Sequence, residues 1–193
     1  MKVIIEHLDP KVWPWSVLEY RHISSIVGKE NVIFTRVAKR EFHKLLGFGE
    51  VHEERVKDLK FENVCILDPE AEEVLKPSDK KFDYFLFGGV LGNEPMDQRT
   101  DKELSSQLGY ERRHLGKKQM STDTAVNVVF KIIEVGIPFD KLKFVDDIEI
   151  EIEEGYSNIM PYRYLVGEDG KPVLPEGLIE YLKEEELLLE DQD

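Results

Sequence analysis

The chain has 193 residues, 41% of them hydrophobic and 34% charged, which is enough apolar material for one packed domain and argues against a disordered chain. Forty acidic side chains against 26 basic ones leave a net charge of −14, which disfavours loose binding to nucleic acid and favours a basic partner. Cys65 is the single cysteine, so no intrachain disulfide forms; no run reaches membrane-spanning length, and Glu6 interrupts the short apolar start, so no signal peptide is expected and the expected location is cytoplasmic.

Lys2 to His7 reads as the first strand. Trp13 to Val27 follows as a helix, with Pro14 in its first turn and Gly28 at its end. Asn31 to Val37 reads as a strand, and Lys39 to Leu46 as a short helix closed by Gly47. Asn63 to Leu67 and Phe82 to Phe87 are further strands, the first holding Cys65 as a buried thiol. Thr100 to Leu108 reads as a helix closed by Gly109, before a short strand near Arg112 to Leu115. The run Tyr84-Phe85-Leu86-Phe87 is continuously apolar, as in a parallel sheet covered on both faces.

Ala125, Val128, Val129, Ile132 and Ile133 then recur at helical spacing and make one apolar face, ending near Gly136-Ile137-Pro138. The hydroxyls of Ser121, Thr122 and Thr124 and the Asp123 carboxylate are placed to cap its first amides. Leu142 to Glu153 alternates charged and apolar residues, and with Met160 to Val166 it reads as edge or antiparallel strands. A last helix is expected from near Pro175 through Leu178, Ile179, Tyr181 and Leu182. With no repeat and no linker, residues 1–193 form one domain of α/β class, a mainly parallel sheet flanked by helices, with an acidic tail from about 184 to 193.

Ligands of open α/β sheets collect at the carboxyl ends of strands. Three such ends have unusual chemistry: Leu67-Asp68-Pro69, Phe87-Gly88-Gly89 running on to Gly92, and Leu115-Gly116 before the helix that begins with Thr122. Glycine lets the backbone approach a ligand closely. The common phosphate-binding glycine loops are missing, as is the Gly-x-Ser-x-Gly elbow of α/β-hydrolases. His7, His22, His43, His52 and His114 show no metal-ligand spacing, so no metal site is expected.

The segment from Leu115 to Ala125 resembles the third cofactor loop of SPOUT methyltransferases. Ile4-Ile5-Glu6-His7, Leu67-Asp68-Pro69, Phe87-Gly88-Gly89, Leu91-Gly92, Arg99-Thr100, Met160-Pro161 with Arg163-Tyr164, and Gly170-Lys171-Pro172 with Leu174-Pro175-Glu176-Gly177 are similar to one archaeal and eukaryotic branch of that superfamily. That branch includes an arginine methyltransferase acting on a small-subunit ribosomal protein. The resemblance implies a C-terminal trefoil knot, which no periodicity could reveal, and a bent S-adenosylmethionine (SAM) held among three loops. The cofactor positions it implies are Leu67, Asp68, Pro69, Phe87, Gly88, Gly89, Gly92, Leu115, Gly116, Met120, Thr122 and Thr124. Ser121 stands where a threonine is common, and the stretch from Asn93 to Gln98 follows the branch only loosely. Either a monomer or a homodimer fits the superfamily.

Methyl transfer from a sulfonium is catalysed mainly by alignment, which well-oriented systems convert into about 7–11 kcal/mol. A guanidinium acceptor has a pKa of about 12.5–13.8, so stripping its proton beforehand at neutral pH would cost roughly 7–9 kcal/mol. Acidic side chains serve instead to orient the guanidinium and to take its proton as the N–C bond forms. Glu6, Glu19 and Asp97 are the candidates, with Arg99 pairing with Asp97 or binding the cofactor carboxylate; Trp13, Trp15, Tyr20 and Tyr162 are candidate walls of an acceptor channel. Glu6, at a strand end facing a ligand, is the preferred carboxylate. The readings that follow are methylation of an arginine in a basic, ribosomal protein; methylation of RNA through Arg112, Arg113, Lys117 and Lys118; or a non-catalytic cofactor-binding module.

Overall fold

A computed structural model describes residues 1–89, 104–153 and 156–190. Gly92, Asp97, Arg99, the first four residues of the helix expected over Thr100 to Leu108 and the last three residues of the acidic tail lie outside the described residues. Six strands, β1 (Lys2–His7), β2 (Val32–Thr35), β3 (Glu50–Val51), β4 (Val64–Leu67), β5 (Tyr84–Gly89) and β6 (Glu111–Arg113), form one sheet in the order β3-β2-β1-β5-β4-β6. Every pairing in it is parallel.

Alternate side chains of these strands enter two cores. Val3, Ile5, Cys65, Leu67, Phe85 and Phe87 face helices α1 (Pro14–Val27) and α2 (Thr122–Ile133). Ile4, Leu8, Ile33, Val64, Ile66 and Leu86 face the opposite way, toward Val56 and Leu104. Apolar positions on both faces explain the continuous hydrophobic runs, and the thiol of Cys65 is buried in the first core, where desolvation pushes it up to about 12.

The second unit is an antiparallel hairpin, β7 (Phe144–Glu153) and β8 (Tyr156–Leu165), packed on the closing helix α3 (Leu178–Glu190). Ile148, Ile150 and Ile152 turn inward while Asp147, Glu149 and Glu151 stay exposed, which is the alternation of a half-buried ribbon. Trp15 and Leu18 of α1 join this third core and tie the hairpin to the sheet. Among the described residues no helix is long and apolar enough to cross a membrane.

Three local expectations change. Lys39–Lys44 winds as a 3-10 helix rather than an α-helix, with Leu45 alone driven fully into the core. Residues 184–190 continue α3 instead of forming a separate tail. Helix α2 is buried well beyond its expected face, since Val126, Asn127 and the turn Thr122-Asp123-Thr124 are all covered by neighbouring elements.

Candidate active site

Strands β5, β4 and β6 are neighbours, so the three loops singled out in the sequence leave the sheet side by side at its carboxyl edge. The first loop is clasped to the third. The Asp68 amide donates to the Arg113 carbonyl at 2.9 Å, Lys117 Nζ donates to the Pro69 carbonyl at 2.8 Å, and Val74 bridges to His114. Within the first loop Asp68 Oδ1 accepts the Glu70 amide at 2.9 Å, and Oδ2 takes Arg112 Nη1 at 3.2 Å. The Asp68 side chain therefore shapes the loop, leaving backbone groups as its means of meeting a ligand.

In the third loop Gly116 has φ 85°, a left-handed conformation that a side chain strains, and its amide donates to His114 Nδ1 at 3.0 Å. A Cβ here would stand 3.2 Å from the Phe139 ring. Leu115, Thr122 and Thr124 are buried behind this turn, with Met120 half-buried beside them. Gly89 answers to a different constraint. A Cβ at Gly89 would sit 2.3 Å from the Tyr20 hydroxyl and 2.6 Å from Ile5, so the strand end needs glycine for its packing on α1. Leu67, Phe87 and Gly89 are buried, while Pro69 and Gly88 are half-buried at the sheet edge.

The expected capping of α2 by its own side chains is not what forms. Ser121 has the extended N-cap backbone but no capping hydrogen bond, and its hydroxyl donates to Thr124 Oγ1 at 2.9 Å. The Thr122 amide is instead taken by Glu19 Oε2 of α1 at 3.2 Å. Trp15 Nε1 donates to the other oxygen of Glu19 at 2.8 Å. A carboxylate from a distant helix thus caps the one that follows the third loop, an arrangement invisible to local sequence rules.

Glu19 is 5% exposed and Asp123 1%, and the two carboxyls lie close enough to repel. Burial first, and then the Asp123 charge, raise Glu19 from the ordinary 4.5 to about 8. Asp123 Oδ2 meets His22 Nδ1 at 2.7 Å. Asp123 Oδ1 and the Tyr164 hydroxyl are buried and have no hydrogen-bond partner among the described residues. Trp15, Glu19 and His22 recur at i, i+4 and i+7, which places them on one face of α1. Sequence reasoning missed His22 and Tyr164 and saw Asp123 only as a cap. The spacing of Glu19 and His22 was the available signal; their convergence with Asp123 was not.

Glu6, the carboxylate preferred from the sequence, is placed apart from the Glu19–Asp123 pair. It leaves β1 on the face of Ile4 and Leu8, opposite the α1–α2 face, and is 1% exposed. Its Oε2 accepts the Thr35 hydroxyl at 2.5 Å and the Val56 amide at 2.8 Å, and its Oε1 accepts Arg55 Nε at 3.3 Å. Those bonds tie β1 to β2 and to the segment after β3. Tyr20, one candidate channel wall, is a core residue that meets His7 Nδ1 at 2.8 Å. Trp13 lies under Lys11 Nζ at 3.7 Å, and Tyr162 packs edge-on to Tyr164 at 6.4 Å.

The basic stretch considered for RNA is also engaged. Arg113 is buried and bonded to Asp79 at 3.2 Å and Glu111 at 3.0 Å; Arg112 is paired with Asp68. Lys117 holds Pro69, and Lys118 lies 3.3 Å from Asp146. Each of the four cations thus has an acid or a carbonyl of the protein as a partner, and only Arg113 is buried, while Arg112, Lys117 and Lys118 stay exposed.

This sheet, with its loop triad, is the fold of the SPOUT methyltransferases, and the comparisons with known proteins agree. The model of the SFM1-like family, "Protein arginine N-methyltransferase SFM1-like", matches residues 2–187, and the chain belongs to that family. It is 40% identical to protein arginine N-methyltransferase SFM1 of Saccharomyces cerevisiae over 205 residues, covering 96% of this chain and 95% of the relative. The yeast arginine methyltransferase SFM1 solved with SAH superposes with a TM-score of 0.87 at 36% identity, over 94% of each chain. The same protein solved with SAM gives 0.86 at 36% identity, over 95% of this chain and 90% of that one. A Trm10 structure from Thermococcus kodakaraensis, 18% identical, shares the fold with a TM-score of 0.60 over 72% of this chain and 95% of that one.

Proposed function

We propose that this protein transfers the methyl group of SAM to an arginine side chain of a basic protein substrate, in which a ribosomal protein is the leading candidate. The observation that carries the reading is the Glu19–Thr122 hydrogen bond: it joins a buried pair of carboxyl groups to the helix that follows the third loop, so acceptor and cofactor chemistry share one place. Identity to yeast SFM1 and the solved SFM1 complexes support the same assignment.

The residues of the three loops suit a cofactor recognised largely through backbone. Asp68 has its carboxylate bound within its own turn, Gly116 adopts a conformation reserved for glycine, and Leu67, Phe87, Leu115 and Met120 supply apolar surface for an adenine. Pro69, Gly88, Gly92, Thr122 and Thr124 complete the proposed cofactor set, while Gly89 serves by letting β5 close on Tyr20. SAM supplies an electrophilic methyl on sulfur. Glu19, rather than Glu6, orients the guanidinium, because Glu6 is occupied on the far face of the sheet. Asp97 and Arg99, which lie outside the described residues, remain proposed for the same chemistry. The passage of the chain from His114 past Glu73 and Leu75, before α2 returns to pack on α1, supports the C-terminal knot as part of this proposal. Residues 1–193 act as one domain.

The test is incubation with methyl-labelled SAM and a set of basic ribosomal proteins, followed by mass-spectrometric mapping. Label on an arginine is expected. Label confined to RNA, or no SAM binding by calorimetry, would sink the assignment.

A further inference from the structure

We propose that Asp123 and His22 form the exit path for the proton that arginine methylation releases, with the Tyr164 hydroxyl completing the seat of the guanidinium. The proposal rests on the arginine-methyltransferase reading above.

A buried carboxylate oxygen without a donor is costly, and so is a buried hydroxyl without a partner. Asp123 Oδ1 and Tyr164 Oη are both in that state, on α2 and β8, and they do not bond each other. Both groups interact electrostatically with Glu19, whose own two oxygens are held by Trp15 and by the Thr122 amide. Two acids and a hydroxyl thus converge with acceptor capacity and no buried cation among their described partners. A guanidinium, with five N–H donors spread around a plane, reaches all three from separate directions, whereas a neutral amide with two donors satisfies fewer.

The reaction needs a proton sink. As the N–C bond forms, the methyl–sulfur bond breaks and its electron pair stays on sulfur, leaving a neutral thioether. The acceptor nitrogen then carries one proton too many and gives it to Asp123 Oδ1. That proton, once carried on Oδ2 of the now neutral carboxyl, passes to the unprotonated Nδ1 of a neutral His22 imidazole, 2.7 Å away, which regenerates the Asp123 carboxylate, and the product remains a methylguanidinium cation. His22 is the member of this chain that reaches solvent, its side chain being 15% exposed against 1% for Asp123. Around the pair the titratable groups are Glu19 on α1 and Tyr164, with Tyr162, on β8. Burial drives Glu19 upward and Tyr164 strongly upward, so neither the Tyr164 hydroxyl nor Glu19 competes as a route to solvent.

The experiment uses the full chain. Single-turnover methylation of an arginine-containing basic peptide is followed against pH for the unmodified protein, His22→Gln and His22→Gly; peptide affinity for the SAH-bound protein is measured by calorimetry for His22→Gln and Asp123→Asn. The expected unmodified rate rises with pH to a plateau, as for a step that delivers a proton to a general base. His22→Gln should lose about 100-fold in rate together with that rise, keep its peptide affinity, and bind SAH normally. His22→Gly should regain rate on addition of imidazole, a response that a purely structural role would not give. Asp123→Asn should weaken peptide binding at least about tenfold, by loss of a charge-assisted bond, with SAH affinity retained. A His22→Gln protein with the unmodified rate and pH profile, or a His22→Gly protein indifferent to imidazole, overturns the proton path alone. Failure of the unmodified protein to methylate arginine overturns both readings.

Discussion

Glu6 and Glu19 are both buried carboxylates, and their neighbours divide their work. Glu6 meets a hydroxyl, an amide and a guanidinium, so it stabilises the junction of β1, β2 and the Arg55–Val56 turn. Removing it leaves those donors buried without an acceptor: Glu6→Ala should cost about 3–5 kcal/mol in chemical denaturation while SAM affinity of the folded fraction stays unchanged. Glu19 holds a proton in the folded protein up to about pH 8 that an unfolded chain releases near 4.5. The folded state therefore binds more protons between those values. Stability from this group is full below about 4.5, declines as pH rises, and is flat above about 8. Glu19→Gln should flatten that decline, which spans on the order of a few kcal/mol, in unfolding curves recorded across the window. Both residues stood out in the sequence, but an acidic residue after an apolar run does not say which face of the sheet it takes or what awaits it there.

At the scale of elements, α2 shows how far local rules reach. Its bounds and apolar spacing were legible, because period and turn residues are local properties. Its cap was not, since the Thr122 amide is satisfied by Glu19, 103 residues earlier in the chain. Hairpin β7–β8 closes over the same region through Arg163, which donates twice to Asp146 at 2.8 and 3.0 Å and stands beside Gly116. The Arg163 bonds hold Asp146 down at about 2, below its usual 3.8, so the contribution of this pair is present above 3.8 and is lost as pH falls toward 2. Solvent at this partly exposed site limits it to about 1 kcal/mol. Asp146→Asn should thus change stability little at neutral pH, yet weaken SAM binding measurably by calorimetry, because Arg163 also packs against the third loop. At the other wall, Gly89→Ala should destabilise by about 1–3 kcal/mol through overpacking against Tyr20 and Ile5, seen as a lowered Tm.

For the whole molecule, charge of −14 and family membership point the same way. The exposed acids Asp147, Glu149 and Glu151 line one side of the hairpin, and the cations from Arg112 to Lys118 are paired with acids or carbonyls of the protein itself. Association with a basic protein should therefore be steered electrostatically: kcat/KM should fall as salt rises, with kcat at saturation unchanged. Steady-state kinetics across ionic strength checks this, and a salt-insensitive kcat/KM would speak against it. The sequence by itself determined the order of the strands other than β3 and of helices α1, α2 and α3, the parallel α/β class and the three loop segments. Those follow from periodicity, glycine and proline, and from motifs contiguous in the chain. Only the tertiary structure decided that the three loops leave adjacent strands, that Glu6 and Glu19 lie on opposite faces of the sheet, and that Asp123, His22 and Tyr164 converge beside Glu19. Such outcomes depend on which elements pack together, and a hydrogen bond across a hundred residues leaves no periodic trace in the chain that makes it.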